Sequence, residues 1–123
     1  MDDFPSIDEF QEILELVIET VPKEFFKKLN EGVVILPQVK IHPESRQDDL
    51  IIMGEYSTSF TGRNIKIYYG SFKRIYKGIS KEDLYKRLED TLFHEFTHHL
   101  ESLSGERGLE VKDAIKMNKY RDS

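Results

Sequence analysis

Residues 94–98 read His-Glu-Phe-Thr-His, and they contain side chains of the types that carry out metal-assisted hydrolysis. In an α-helix, residues four positions apart lie on one face, so His94 and His98 could direct both imidazoles at one metal ion. Glu95 would then lie beside the open coordination position, where its carboxylate could accept a proton from a bound water. The spacing is that of the HExxH motif, in which two histidines bind a metal and the glutamate serves as base. We therefore predict a zinc (Zn2+) site with His94 and His98 as ligands and Glu95 as general base.

The surrounding sequence favours a helix that would position these side chains. Ser80 is a suitable N-cap, and the helix is expected to run to about Leu103, where Ser104-Gly105 would stop it. One face of this helix is apolar, whereas His94 and His98 lie off that face, so core packing does not account for the two histidines. The apolar face consists of Leu84, Leu88, Leu92, Phe96, Leu100 and Leu103.

The other two histidines have less specific surroundings. His99 projects near the edge of the apolar face, and we expect it to be buried and hydrogen-bonded to backbone, with a supporting or proton-donating role as the alternative. His42 has no neighbour at metal-ligand spacing, and we expect it to be a surface loop histidine.

Composition limits the class of protein. The chain has 123 residues, which predicts one domain spanning residues 1–123, and its net charge of −5 disfavours nucleic acid as a partner. With no cysteine, a metal must be held by His, Asp or Glu. No apolar run approaches the roughly 20 residues needed to cross a bilayer, so no membrane partner is expected. The acidic start Met1-Asp2-Asp3 leads into no apolar stretch, and we expect a cytoplasmic protein.

Patterning along the rest of the chain predicts an α+β fold with one small sheet between flanking helices. A first helix should begin after Ser6 and end before Pro22, and a last helix should span Leu109–Tyr120. The remaining expected elements are a short helix at Lys23–Leu29, an edge strand at Val33–Leu36 that resumes at Val39–Ile41, a hairpin of Leu50–Tyr56 and Arg63–Tyr69, and a short strand or crossing loop at Ser71–Tyr76.

The segment Thr91–Leu100, preceded by the strand Ile65–Tyr69, resembles the small bacterial minimal zincin metallopeptidase-like proteins. The resemblance extends over most of the chain, including Leu36–Ser45. It implies a zincin-like fold, in which a small mixed sheet packs on the helix that carries HExxH and an edge strand borders the cleft. It also implies zinc bound by His94 and His98, with Glu95 as general base.

The third zinc ligand is where the chain departs from the short zincin signatures. The position three past His98 is Glu101 instead of glycine, and the position six past it is Ser104, a poor ligand. The first glycine, Gly105, comes about one helical turn later than the short pattern has it. This displacement favours Glu110 as the third ligand. Glu106, Asp113 and Glu101 remain alternatives.

These observations predict a zinc-dependent peptidase or related amide hydrolase that acts on a peptide or protein substrate. The zinc would lower the pKa of its bound water, Glu95 would accept the proton, and the resulting hydroxide would attack a polarised carbonyl. The alternative is a non-catalytic zincin-fold module whose metal serves structure or partner binding. No residue is identified as the group that stabilises the oxyanion. The donors considered for that role are Tyr68, Tyr69, His99 and Tyr120.

Overall fold

The first helix is fixed at its start by a reciprocal pair of hydrogen bonds. In the computed structural model, which describes residues 4–47 and 50–107, α1 spans Ile7–Glu19. The Ser6 hydroxyl accepts from the Glu9 backbone N–H at 3.2 Å, and the Glu9 carboxylate accepts from the Ser6 N–H at 3.0 Å. This capping box satisfies two of the N–H groups that a helix start leaves unpaired. The predicted start is confirmed.

The second predicted helix is shorter than expected. Only Lys23–Phe26 is helical, and as a single 3₁₀ turn. Lys28 adopts a left-handed conformation with a φ of 63°, which a continuing helix cannot contain. The prediction that this helix reaches Leu29 is therefore wrong.

The strands form two small sheets instead of one. The main sheet has the order β1-β5-β4, with β1 parallel and β4 antiparallel to β5, so it is mixed. The prediction of a single strand over residues 50–56 is corrected, because the chain passes from the second sheet to the first at Met53. The main sheet consists of β1 (Val33–Leu36), β4 (Gly54–Thr58) and β5 (Arg63–Tyr68), and the second sheet of β2 (Lys40–Ile41) and β3 (Ile51–Ile52).

A helix occupies the segment after β5, where the sequence predicts a strand or crossing loop. This helix, α2, spans Tyr69–Ile75. Its aromatic residues pack against α1. The rings of Tyr69 and Phe72 contact the Phe10 ring edge-on, at 5.1 and 5.4 Å between centroids. Such edge-to-face pairs stabilise the packing beyond simple area burial. Tertiary packing therefore determines that this segment is helical, because seven residues are too few for sequence periodicity to predict a helix.

The long helix α3 spans Lys81–Arg107 and carries the HExxH motif. Its start is as predicted, since the Asp83 N–H donates to the Ser80 hydroxyl at 3.1 Å. Its end is not as predicted, because the helix continues through Gly105 to Arg107. The predicted apolar face is confirmed as buried, and its members are Leu84, Leu88, Leu92, Phe96, Leu100 and Leu103.

Together these elements make an α+β protein whose core lies between α1, α3 and one face of the main sheet. None of the helices in residues 4–47 and 50–107 combines the length and the apolar character needed to cross a bilayer. The predicted helix at Leu109–Tyr120 lies outside the described residues.

Candidate metal centre

The two histidines of the motif converge on one point in solvent. His94 and His98 are exposed on α3, and their Nε2 atoms lie 3.1 Å apart. The two rings are nearly perpendicular, with an interplanar angle of 89°. The two nitrogens are within hydrogen-bond distance, so either can donate to the other, and both rings turn Nε2 toward the same place.

This donor pair fits a zinc ion. Two nitrogen ligands about 2.0–2.1 Å from a tetrahedral zinc lie about 3.3 Å from each other. The 3.1 Å between Nε2 of His94 and Nε2 of His98 is close to that separation. Imidazole is also the nitrogen ligand that zinc most often takes in proteins. Among the residues of this chain that the structure describes, His94 and His98 are the ones that would hold the metal.

Glu95 lies beside the pair but in a different environment. Its side chain is only 6% exposed. Burial raises the pKa of Glu95, while the neighbouring His94 and His98 and a hydrogen bond from the Tyr56 backbone N–H act to lower it, and the net shift is upward. A carboxylate with a raised pKa is a stronger base than an exposed one, which suits a proton acceptor. The Tyr56 N–H also fixes the direction in which the carboxylate points.

A glycine permits this contact between α3 and the edge strand β4. A methyl group on Gly54 would lie 2.8 Å from Cγ2 of Thr91 and 3.4 Å from Cγ of Glu95. The first distance is below van der Waals contact, so a side chain at residue 54 would push β4 away from α3. The absence of a side chain at Gly54 therefore allows Tyr56 to reach Glu95.

The motif opens onto a cleft of about 940 Å³ between α3, β4 and the second sheet. His42 lies in the loop after β2, as predicted, but it also lines the cleft, which the sequence did not predict. Pairing of β2 with β3 brings it there, and spacing along the sequence gives no sign of that. The cleft-lining residues are His42, Ile52, Gly54, Glu55, Tyr56, Thr58, His94, Glu95, His98, Glu101 and Ser102.

A second depression, between α1 and the first turns of α3, has a volume of about 550 Å³. Its walls combine apolar side chains such as Ile13 and Leu16 with exposed acids and lysines. Its polar side chains include the exposed ion pair between Lys81 and Glu9 at 3.0 Å. Converging metal donors are found in the cleft at HExxH, and we take that cleft as the candidate site.

The third ligand is not located by the described residues. Within residues 4–47 and 50–107, no group of three His, Asp or Glu side chains is arranged to hold a metal. Glu101 lines the cleft but does not complete such a group with His94 and His98. Glu110 and Asp113 lie outside the described residues, as does the side chain of Glu106, so the prediction of Glu110 stays a prediction.

His99 faces away from the cleft and is fully buried, as predicted. Its Nε2 lies 2.8 Å from the Lys27 carbonyl oxygen, and its Nδ1 lies 2.9 Å from the Tyr56 hydroxyl. A carbonyl can only accept, so Nε2 carries the proton and Nδ1 accepts from Tyr56. Burial lowers the pKa of His99, which keeps the ring neutral. Both ring nitrogens are satisfied, and His99 therefore has a structural role.

The fold and the cleft define a class, that of small α+β proteins in which a mixed sheet lies on a long helix with a histidine pair at its solvent-facing edge. No protein-family model and no curated protein matches the chain. A solved structure is similar, that of a conserved hypothetical protein from Thermo thermophilus. It is 33% identical with a TM-score of 0.68, and the match covers 82% of this chain and 99% of the other. The chain belongs to the family of that protein.

Proposed function

We propose that this protein is a zinc-dependent hydrolase of peptide bonds with a zincin-like fold. The observation that carries the proposal is the convergence of Nε2 of His94 and Nε2 of His98 at 3.1 Å beside the buried carboxylate of Glu95. Zinc, when bound, would supply an activated water and polarise the carbonyl of the substrate. His94 and His98 would hold it, together with a ligand from Glu110, Glu106, Asp113 or Glu101.

Glu95 would act as the base. It would accept the proton of the attacking water and later deliver it to the leaving amine. Its burial raises its pKa, and the Tyr56 N–H keeps it oriented toward the cleft. Both properties support proton transfer at this carboxylate.

The edge strand β4 provides a place for an extended peptide. The backbone groups of Met53 and Ser59 point toward β5. Met53 O accepts from the Tyr68 N–H, and the Ser59 N–H donates to Gly62 O. Antiparallel pairing alternates, so Gly54, Tyr56 and Thr58 turn their backbone groups to the free edge. The Tyr56 N–H is used by Glu95, and the other backbone groups on this edge point to where a substrate would be added as a further strand. A peptide bound there would lie in the same cleft as Glu95.

The test begins with zinc content and cleavage of a peptide library, followed by Glu95→Gln. We expect stoichiometric zinc in both proteins, cleavage by the wild type, and a loss of about 10²–10⁴-fold in kcat for Glu95→Gln. Glu82→Gln, an exposed acid in the first turn of the same helix, is the matched control and should cleave as the wild type does. Equal cleavage by Glu95→Gln with zinc still bound would exclude Glu95 as the base.

The same experiment separates the alternative, a zincin-fold module whose metal serves structure or partner binding. That alternative predicts stoichiometric zinc, no cleavage in the library, and a lower thermal midpoint after chelation. A protein that binds no zinc at all would contradict both functions.

A further inference from the structure

His42 lines the cleft that contains the HExxH motif, and its backbone is hydrogen-bonded. The residue directly follows β2, and its N–H donates to the Leu50 carbonyl at 2.8 Å, which continues the ladder between β2 and β3. The ring is half-buried and lines the cleft that contains His94, Glu95 and His98. The imidazole is therefore presented to the candidate site from a paired strand end.

The hydrogen bonding of the ring decides which nitrogen carries the proton. The Glu44 backbone N–H donates to His42 Nδ1 at 3.0 Å. Because Nδ1 accepts, it carries no proton, and in the neutral ring the proton is on Nε2. His42 is thus held as a donor through Nε2.

This arrangement argues against His42 as the missing metal ligand. A ligating histidine offers the lone pair of one nitrogen and donates the N–H of the other to a carbonyl, carboxylate or water. At His42 the second nitrogen faces a donor, the Glu44 N–H. The ring would have to break that bond before Nε2 could bind a metal.

The other donors considered for the oxyanion are used elsewhere. The Tyr68 hydroxyl donates to Glu55 at 2.7 Å, and burial together with Glu55 raises the pKa of Tyr68. The Tyr69 hydroxyl donates to the Pro5 carbonyl at 2.6 Å. His99 is buried with both nitrogens bonded. Tyr120 lies outside the described residues.

We propose that His42 is a further catalytic residue, which donates its Nε2–H to the carbonyl oxygen of the scissile bond as that oxygen gains negative charge. The proposal rests on the proposed peptidase function. A preorganised donor of this kind acts mainly on the transition state, so its loss should lower kcat more than it raises KM.

Nuclear magnetic resonance of the histidine rings tests the donor assignment without activity. In protein with ¹⁵N-labelled histidine, we expect His42 Nδ1 to give the shift of an unprotonated nitrogen and Nε2 that of a protonated one. Adding zinc should move the Nε2 signals of His94 and His98 and leave Nε2 of His42 protonated. A proton on Nδ1, or a metal-bound Nε2, would overturn the proposal.

Substitution tests the catalytic role in the zinc-loaded protein. His42→Phe should lower kcat about 10²–10³-fold, which is the usual effect of removing one oxyanion donor, with KM changed less than about threefold and zinc content unchanged. His42→Gln retains an N–H donor and should lose less than His42→Phe. Leu50→Ala alters an exposed side chain just before β3, leaves the carbonyl that accepts from His42, and should match the wild type.

A phosphinic pseudo-tripeptide, which mimics the tetrahedral state, gives a second readout. Its Kd should rise in parallel with the fall in kcat for both His42 variants. If the wild type cleaves peptides, and His42→Phe and His42→Gln each have the kcat of the wild type, the role of His42 is wrong and the peptidase function stands. If the wild type neither cleaves peptides nor binds the phosphinic compound, the proposed function fails and the role of His42 fails with it.

Discussion

The C-terminal half of α3 carries histidine on two sides, and the two sides hold it in opposite ways. On the cleft side, His94 and His98 are exposed, and their Nε2 atoms face each other at 3.1 Å. On the core side, His99 is fully buried, and its nitrogens bond to Lys27 and Tyr56. Adjacent residues of one helix thus have different chemistry, because the helix turns about 100° between them.

The difference shows how to separate a site from a structural histidine. A buried ring whose donor and acceptor are both matched gains stability from its hydrogen bonds and has no lone pair left for a ligand. Two exposed rings that share one hydrogen bond gain little stability from it. Under the proposed function, the same two nitrogens would instead turn to a shared zinc ion.

The largest effects should come from replacing His98 and His99 one at a time and measuring both zinc affinity and stability. His98→Ala should weaken zinc binding at least about 100-fold, since even residues that only support a ligand contribute 10–100-fold. In metal-free protein its free energy of unfolding should change by less than about 0.5 kcal/mol, because the side chain is exposed. Competition with a chelating dye measures the first quantity, and urea denaturation with chelator present measures the second.

His99→Ala should show the reverse. It leaves a cavity and removes the partners of the Lys27 carbonyl and the Tyr56 hydroxyl, so the free energy of unfolding should fall by about 2–4 kcal/mol. Zinc affinity of the folded protein should change by less than about tenfold. If His98→Ala unfolds as readily as His99→Ala, or if both variants lose the same zinc affinity, the distinction between a metal-binding and a structural histidine is wrong.

The next effect concerns the close approach of β4 to α3. In Gly54→Ala the new methyl group would meet Cγ2 of Thr91 at 2.8 Å, and such overpacking costs about 1–3 kcal/mol. Peptide cleavage should fall as well, because the Tyr56 N–H would be moved from Glu95. Urea denaturation and kcat of the zinc-loaded protein measure both effects.

Two further variants show whether the contact itself is responsible. Thr91→Ser removes Cγ2, so the double variant with Gly54→Ala should recover about 1 kcal/mol or more relative to additive losses. Gly105→Ala meets no atom within 4 Å and lies within α3, so it should stabilise the protein by about 0.5–1 kcal/mol. Additive losses in the double variant would show that β4 and α3 do not collide there.

Sequence alone could predict those parts of the molecule that depend on neighbours along the chain. The capping box at Ser6, the N-cap at Ser80 and the apolar face of α3 all follow from local patterns, and all are observed. His94, Glu95 and His98 are likewise placed by the period of a single helix. Local periodicity is sufficient for each of these features.

The wrong predictions have a different cause. The helical conformation of α2 is not visible in the sequence because contacts of Tyr69 and Phe72 with Phe10 decide it. The end of α3 lies beyond the predicted stop because a single glycine costs a helix only about 1 kcal/mol and does not by itself end it. His42 is a loop histidine as predicted, but its place in the cleft was not foreseen, because it depends on the non-local pairing of β2 with β3.

The smallest effect should come from the hydroxyl that links the two sides of α3. Tyr56 contacts His99 through its side chain and Glu95 through its backbone, so Tyr56→Phe removes the first link and keeps the second. The Nδ1 of buried His99 would lose its donor, which should lower the free energy of unfolding by about 1–2 kcal/mol. Zinc affinity and kcat should change by less than about tenfold, because the Tyr56 N–H still orients Glu95.

Tyr85→Phe, at the other end of α3, is the control and should change stability by less than about 0.5 kcal/mol. A loss of kcat as large as that of Glu95→Gln would show that the Tyr56 hydroxyl acts on the substrate, and the division between a structural and a catalytic side of α3 would then be wrong.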